Sequence, residues 1–272
     1  MKNMKNNAFK TFVIIKKIMK HNFIKFAFIF VLTVLLTACG EKKSLVFIID
    51  FSESVSDEAR TRSFAAIQAQ AKTLGRGDSI TVIPITGDAP VETSGKVLRL
   101  QAGEIRKLRD KDLREFQTEL ETKLAAMQTN AKTFKQTDLL GALQIAQEET
   151  ANLRARKRRV AVIILSDLVH STAQIRFESD AAFANAETSR RFAEKISGGK
   201  TGEWSGAEIY LGSLESTDLR KMPNERREAV REFWREFFKI GGVKRLQFAT
   251  DGAGQLGDFL KSAAPENSKP GE

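Results

Sequence analysis

The 272 residues allow one large domain or two small ones. The formal charge of +10 is unevenly spread: residues 1–38 hold seven lysines and no acid, which leaves +3 for residues 39–272. The basic character therefore belongs mostly to the N-terminal segment, and no nucleic-acid partner is expected from it. The one cysteine, Cys39, excludes an internal disulfide, so the folded part must be stabilised by its core.

Lys20 and Lys25 flank the start of an apolar run over 26–36, too short for a comfortable membrane span. It ends in Leu36-Thr37-Ala38-Cys39, which resembles the lipobox of bacterial lipoprotein signals. That resemblance implies cleavage before Cys39, a lipid on its sulfur and acylation of the new N-terminus. Residues 1–38 are then a signal peptide and 39–44 a membrane-proximal linker of a lipid-anchored protein of the bacterial cell envelope. Gly40, where Asp would signal inner-membrane retention, favours the periplasmic side of the outer membrane if the host is Gram-negative.

Residues 45–49 are five consecutive apolar positions, the signature of a strand buried on both faces. They run into Asp50-Phe51-Ser52-Glu53-Ser54. Helical spacing covers 57–74, with Gly75 at the expected C-cap. A second strand at 78–85 completes a βαβ unit, hence parallel strands. A short, partly polar strand at 96–100 suits a sheet edge. A long amphipathic helix over 104–127 carries an apolar stripe through Ile105, Leu108, Leu113, Phe116 and Leu120. A further helix opens at Thr137-Asp138. The strongest apolar strand, 160–165, then leads into Ser166-Asp167. A helix at 178–196, a strand at 207–211, a helix at 225–240, a strand at 243–248 and a helix at 254–260 complete the series. Residues 198–202 form a loop that lacks the spaced first glycine of a phosphate-binding loop. Residues 263–272 read as a disordered polar tail. The alternation over 45–262 predicts an α/β fold, one doubly wound sheet with helices on both faces.

Asp50, Ser52 and Ser54 bring one carboxylate and two hydroxyls to a strand tip, a hard-oxygen set suited to Mg²⁺ or Mn²⁺. The same residues also fit a strand followed by a helix N-cap, with Ser54 or Ser56 as the cap. In open parallel sheets the ligand site lies beyond the carboxyl ends of the strands, where strand order reverses. If the strands ending at Asp50 and Asp167 are neighbours there, two buried carboxylates meet, and they repel unless protonated or bridged by a cation. Thr137 can offer another oxygen.

Asp50-x-Ser52-x-Ser54, Thr137 and Asp167, with the Thr-x-Leu-x-x-Ala-Leu pattern of Thr137, Leu139, Ala142 and Leu143, resemble the metal-ion-dependent adhesion site of von Willebrand factor A domains. The resemblance implies a mostly parallel sheet with one short antiparallel edge strand. It also implies Mg²⁺ held by Ser52, Ser54 and Thr137, with Asp50 and Asp167 acting through water, and a protein partner presenting Asp or Glu to the ion. Two departures touch the ligand-facing loops: Leu168 stands where many members have Gly, and Lys135-Gln136 where Gly-Gly often occurs. A changed loop geometry is expected there. The competing readings are a hydrolase with Ser52 or Ser166 as nucleophile and His170 as base, without the usual nucleophile elbow, and a metal-free scaffold binding through its 104–127 helix or its aromatic 225–240 helix. The five residues between Cys39 and the first strand reach at most about 18 Å. If its axis lies near the membrane normal, the strand then runs away from the membrane and presents Asp50 outward.

Overall fold

The computed structural model describes residues 42–87, 97–103, 105–130, 136–198 and 201–262. The export segment, Cys39 and the 263–272 tail lie outside the described residues. In chain order the elements are β1 (Lys43–Asp50), α1 (Asp57–Lys72), β2 (Ser79–Ile85), β3 (Leu98–Gln101), α2 (Arg106–Asn130), α3 (Leu139–Ala155) and β4 (Arg159–Ser166). A 3-10 turn (Ala181–Phe183), α4 (Ala186–Ser197), β5 (Glu208–Ser213), α5 (Thr217–Lys221), α6 (Asn224–Ile240), β6 (Arg245–Ala249) and α7 (Leu256–Lys261) follow.

The strands form one sheet of order β3-β2-β1-β4-β5-β6. All neighbours are parallel except the short edge pair β2–β3. The doubly wound α/β sheet and its antiparallel edge strand are thus as the sequence implied. The chain winds from β1 out to β3 and returns on the other side of β1 with β4, so strand order reverses between β1 and β4.

The unbroken apolar runs of the central strands follow from two cores. Val46 and Ile48 of β1 pack with Leu139, Leu143, Phe233 and Trp234, on the side of α3, α4 and α6. Leu45, Phe47 and Ile49 pack with Ile67, Phe116 and Phe259, on the side of α1, α2 and α7. Successive side chains of a strand point to opposite faces, so a strand covered on both sides has no polar positions to alternate with.

Three local expectations change. The helix expected at 178–196 begins only at Ala186. Asp180 Oδ1 accepts from Ala182 N at 2.8 Å, and Asn185 Oδ1 accepts from Glu187 N and Thr188 N, both at 3.0 Å. Asp180 thus opens a separate 3-10 turn, and Asn185 opens a new helix after it. α1 ends at Lys72 with Thr73 as its cap, while Gly75 N donates to Asp78 Oδ2. Ile105 and Leu108 remain exposed, because a four-residue edge strand cannot cover a 25-residue helix from end to end.

Candidate metal centre

β1 and β4 lie side by side with Ile49 opposite Leu165. Their tips carry Asp50, fully buried, and Asp167, 2% exposed, at the strand-order reversal. Asp50 Oδ1 accepts from Ser52 N at 2.8 Å, and its Oδ2 accepts from Ser166 Oγ at 2.7 Å. Asp167 Oδ1 accepts from Val169 N at 2.9 Å, and its Oδ2 accepts from Ser54 Oγ at 3.2 Å. The Ser52 and Ser54 hydroxyl oxygens are 3.0 Å apart. Asp50, Ser52, Ser54 and Asp167 thus form one oxygen cluster, which Ser166 extends.

The two readings of Asp-x-Ser-x-Ser divide between two serines. Ser56 caps α1, its Oγ accepting from Ala59 N at 3.2 Å, and this leaves the Ser54 hydroxyl to Asp167. Ser56→Ala should therefore cost about 1 kcal/mol in urea unfolding and leave any cation response unchanged.

The loop after β1 is held from two directions. Arg60 Nη1 donates to Ser52 O at 2.9 Å, while Thr217 N donates to Ser54 O at 3.2 Å. Ser216, before α5, contributes a side-chain hydrogen bond to Asp167. Ser166, Ser216 and Arg60 were not among the residues assigned to the site from sequence. Ser166 had a usable signal, its position beside Asp167. Ser216 and Arg60 had none, because their approach depends on how the β5 loop and α1 pack.

Thr137 occupies the same sheet edge by another route. Its backbone bridges Ser171, four residues past Asp167, with hydrogen bonds of 2.8 and 3.0 Å. Among the described residues no hydrogen bond joins its hydroxyl to the four clustered residues. The helix start falls one residue later, where Asp138 Oδ1 accepts from Gly141 N at 2.9 Å. Leu168 takes the left-handed conformation, φ 65°. A leucine thus occupies a backbone conformation that glycine adopts more readily.

Burial pushes the Asp50 carboxyl above its ordinary range, against the hydrogen bonds of Ser166 and Ser52 and the charge of Arg60. Asp167 is pushed up to about 7 by burial first and by the Asp50 charge second, against the Ser216 and Val169 hydrogen bonds. Glu208 at the opposite end of the sheet is the instructive contrast. It is as buried, at 1% exposed, but Arg159 holds it at 2.7 and 3.0 Å and Arg245 at 2.5 Å. Burial alone would raise its pKa, yet the guanidinium groups outweigh burial and hold it below the usual range. Asp50 and Asp167 share the burial without comparable cations.

A buried carboxylate pair ringed by hydroxyls fits a hard divalent cation, whose preferred ligands are oxygens. Among the described residues no group of three or more His, Cys, Asp or Glu side chains is placed to hold a metal, so a site here draws on serine and threonine oxygens as well.

His170 is buried, and burial lowers its pKa to about 4 against the charge of Asp138. Its Nδ1 accepts from Leu140 N at 3.4 Å, and its Nε2 lies 3.4 Å from Thr172 Oγ1. Among the described residues no hydrogen bond links it to Ser52 or Ser166.

No family model and no curated protein matches the sequence. Among solved structures, the fold is similar to the von Willebrand factor type A chain from Catenulispora acidiphila. That match has 16% identity and a TM-score of 0.37, and covers 80% of this chain and 41% of that one. It is also similar to the pilus adhesin SpaC from Lactobacillus rhamnosus GG, with 10% identity and a TM-score of 0.44, over 82% of this chain and 30% of that one. The chain spans less than half the length of either protein.

Proposed function

We propose that this chain is a lipid-anchored, divalent-cation-dependent protein-binding module of the bacterial cell envelope. The observation that carries the proposal is the buried Asp50–Asp167 pair at the reversal point, joined through the hydroxyls of Ser52, Ser54 and Ser166 and lacking the cations that neutralise Glu208. Ser52, Ser54 and Thr137 would hold Mg²⁺ or Mn²⁺ directly, with Asp50 and Asp167 behind them through water. A bound ion supplies an open position for a carboxylate from a partner's Asp or Glu. The chain's own residues do the rest. Ser52 N and Ser166 Oγ orient Asp50, Val169 N orients Asp167, and Arg60 fixes the loop that carries both serines. The low-dielectric surroundings strengthen whatever charge pair forms there.

The proposed role is binding, not catalysis. His170 accepts from the first turn of α3, and the Ser166 hydroxyl is committed to Asp50, so neither supports a nucleophile–base pair. Attachment through Cys39, on the periplasmic side of the outer membrane in a Gram-negative host, completes the proposal.

The test is Mn²⁺ binding to the full chain in detergent, followed by spin resonance, together with capture of a partner from envelope extract with Mg²⁺ or with chelator. Saturable Mn²⁺ binding, lost in Asp50→Ala, and chelator-sensitive capture are expected. Equal Mn²⁺ binding by Asp50→Ala would sink the metal site. A partner captured equally with chelator would remove the ion from recognition.

A further inference from the structure

Beside Asp167, the carboxyl ends of β4, β5 and β6 open into a cavity of about 300 Å³ that the metal centre leaves without a role. Three arginines line it: Arg220 from α5, and Arg227 and Arg231 from α6. Its floor is apolar, from Leu168, Leu219 and Val230.

All three arginines are exposed. Arg227 and Arg231 stand four residues apart on one helix, where like charges repel. Their local partners offset this weakly. Arg227 Nη2 donates to Asn224 Oδ1 at 2.5 Å, and Arg231 lies 3.6 Å from the exposed carboxylate of Glu228. Among the described residues no side chain pairs with the Arg220 guanidinium. Three cations thus converge on a cavity whose acids are Glu215 and Asp167, and Asp167 is also a wall of the metal centre.

We propose that this cavity is a second anion subsite for the same partner, in which Arg220, Arg227 and Arg231 take a second acidic side chain from the segment whose first carboxylate goes to the metal. This rests on the metal-dependent reading above. The volume has room for on the order of ten water-sized groups. That is enough for one acidic side chain and adjoining backbone, and at the lower limit for a small molecule. Guanidinium forks bind carboxylates bidentately, and the apolar floor covers the methylenes of a Glu stem. A phosphate would bring nearly twice the charge toward Glu215 and Asp167 and offer the floor little to bury. An acidic peptide is therefore the better fit.

The test uses the full chain in detergent with Mg²⁺ and acetylated, amidated peptides in a Gly-Ser background. One peptide carries a single Glu, a series carries two Glu at increasing separation, and one pairs Glu with phosphoserine. At one separation the two-Glu peptide should bind at least about tenfold tighter than the single-Glu peptide. The combined Arg220→Gln, Arg227→Gln and Arg231→Gln variant should return it to the single-Glu affinity while binding the single-Glu peptide as before. A control that removes equal charge from the exposed face of α2 (Lys107→Gln, Lys111→Gln, Arg114→Gln) should keep the gain.

Two-Glu peptides no tighter than the single-Glu peptide at any separation would overturn the subsite. So would a gain lost equally in the α2 control, or a phosphoserine peptide that binds tightest. These results leave the metal reading standing if the single-Glu peptide still needs Mg²⁺. Arginine-dependent binding of the two-Glu peptide that chelator does not weaken would instead sink the metal reading, and the two-point arrangement with it.

Discussion

Replacing Asp167 by Asn should make the metal-free chain more stable in mildly alkaline buffer and abolish its response to Mg²⁺. In the fold burial and the Asp50 charge push this carboxyl up to about 7, against about 3.9 in an unfolded chain. Below about pH 4 both states hold the proton and the group costs nothing. Between there and about pH 7 the unfolded chain releases a proton that the folded chain keeps, so stability falls as pH rises. Above about 7 the Asp167 carboxylate stands ionised in its buried place beside Asp50, with no cation among the described residues to offset it. Each unit of difference is worth about 1.4 kcal/mol, so the loss across the interval is on the order of 4 kcal/mol. Burial shifts Asp50 in the same direction, so both acids act against the metal-free fold.

A divalent cation reverses this, because it favours the ionised pair. Mg²⁺ should therefore raise the unfolding midpoint in alkaline buffer and have no effect in acid, where the pair is protonated. Asn keeps the side-chain shape, and its Oδ1 can still accept from Val169 N, but it carries no charge. Its midpoint without metal should exceed that of the unmodified chain in alkaline buffer, vary less with pH and stay fixed when Mg²⁺ is added. Thermal unfolding across pH, with Mg²⁺ and with chelator, measures all three. An Asn variant that is less stable without metal, or that retains the Mg²⁺ shift, would show that the pair is ordinary packing.

What was legible in the sequence follows from where each signal resides. Asp50 and Asp167 stand out because a buried apolar run that ends in an acid is anomalous within one short stretch. The doubly wound class follows from the alternation of elements, whereas the placing of β4 beside β1, which brings the two aspartates together, is seen only in the structure. Ser216 and Arg60 could not be read, since they reach the site through the packing of the β5 loop and of α1. Helical periodicity over 178–196 lost to Asp180 and Asn185, whose side chains cap backbone N–H groups more locally than any stripe. Leu168 is a position the sequence left open. A leucine in place of glycine specified no turn geometry, and the structure puts its φ at 65°, where the chain must hold it.

Trp234 is the residue placed to hold it, and its replacement should have the largest structural effect on the site. Its Nε1 donates to Leu168 O at 2.9 Å in a fully buried hydrogen bond. Its ring is wedged among Phe233 at 4.8 Å, Phe177 at 5.7 Å and Phe237 at 5.8 Å. The left-handed conformation costs a non-glycine residue roughly 1–2 kcal/mol, which this hydrogen bond and the burial of the Leu168 side chain offset. Trp234→Ala removes the ring and the donor together and should cost about 3–5 kcal/mol. Trp234→Phe keeps most of the packing but leaves a buried carbonyl unpaired, for about 1–3 kcal/mol. Both should weaken Mn²⁺ binding, because Asp167 is the residue before the released turn. Substitutions at Leu168 separate strain from packing. Ala and Gly lose the same buried side chain, but only Gly accepts the positive φ, so Leu168→Gly should be more stable than Leu168→Ala by about 1 kcal/mol. That order is the reverse of what a helix or strand interior gives. Denaturant unfolding of the four variants, with Mn²⁺ titrations on each, measures both effects. A Gly variant less stable than Ala would mean that the turn at Leu168 is not strained, and Trp234 would then serve the core alone.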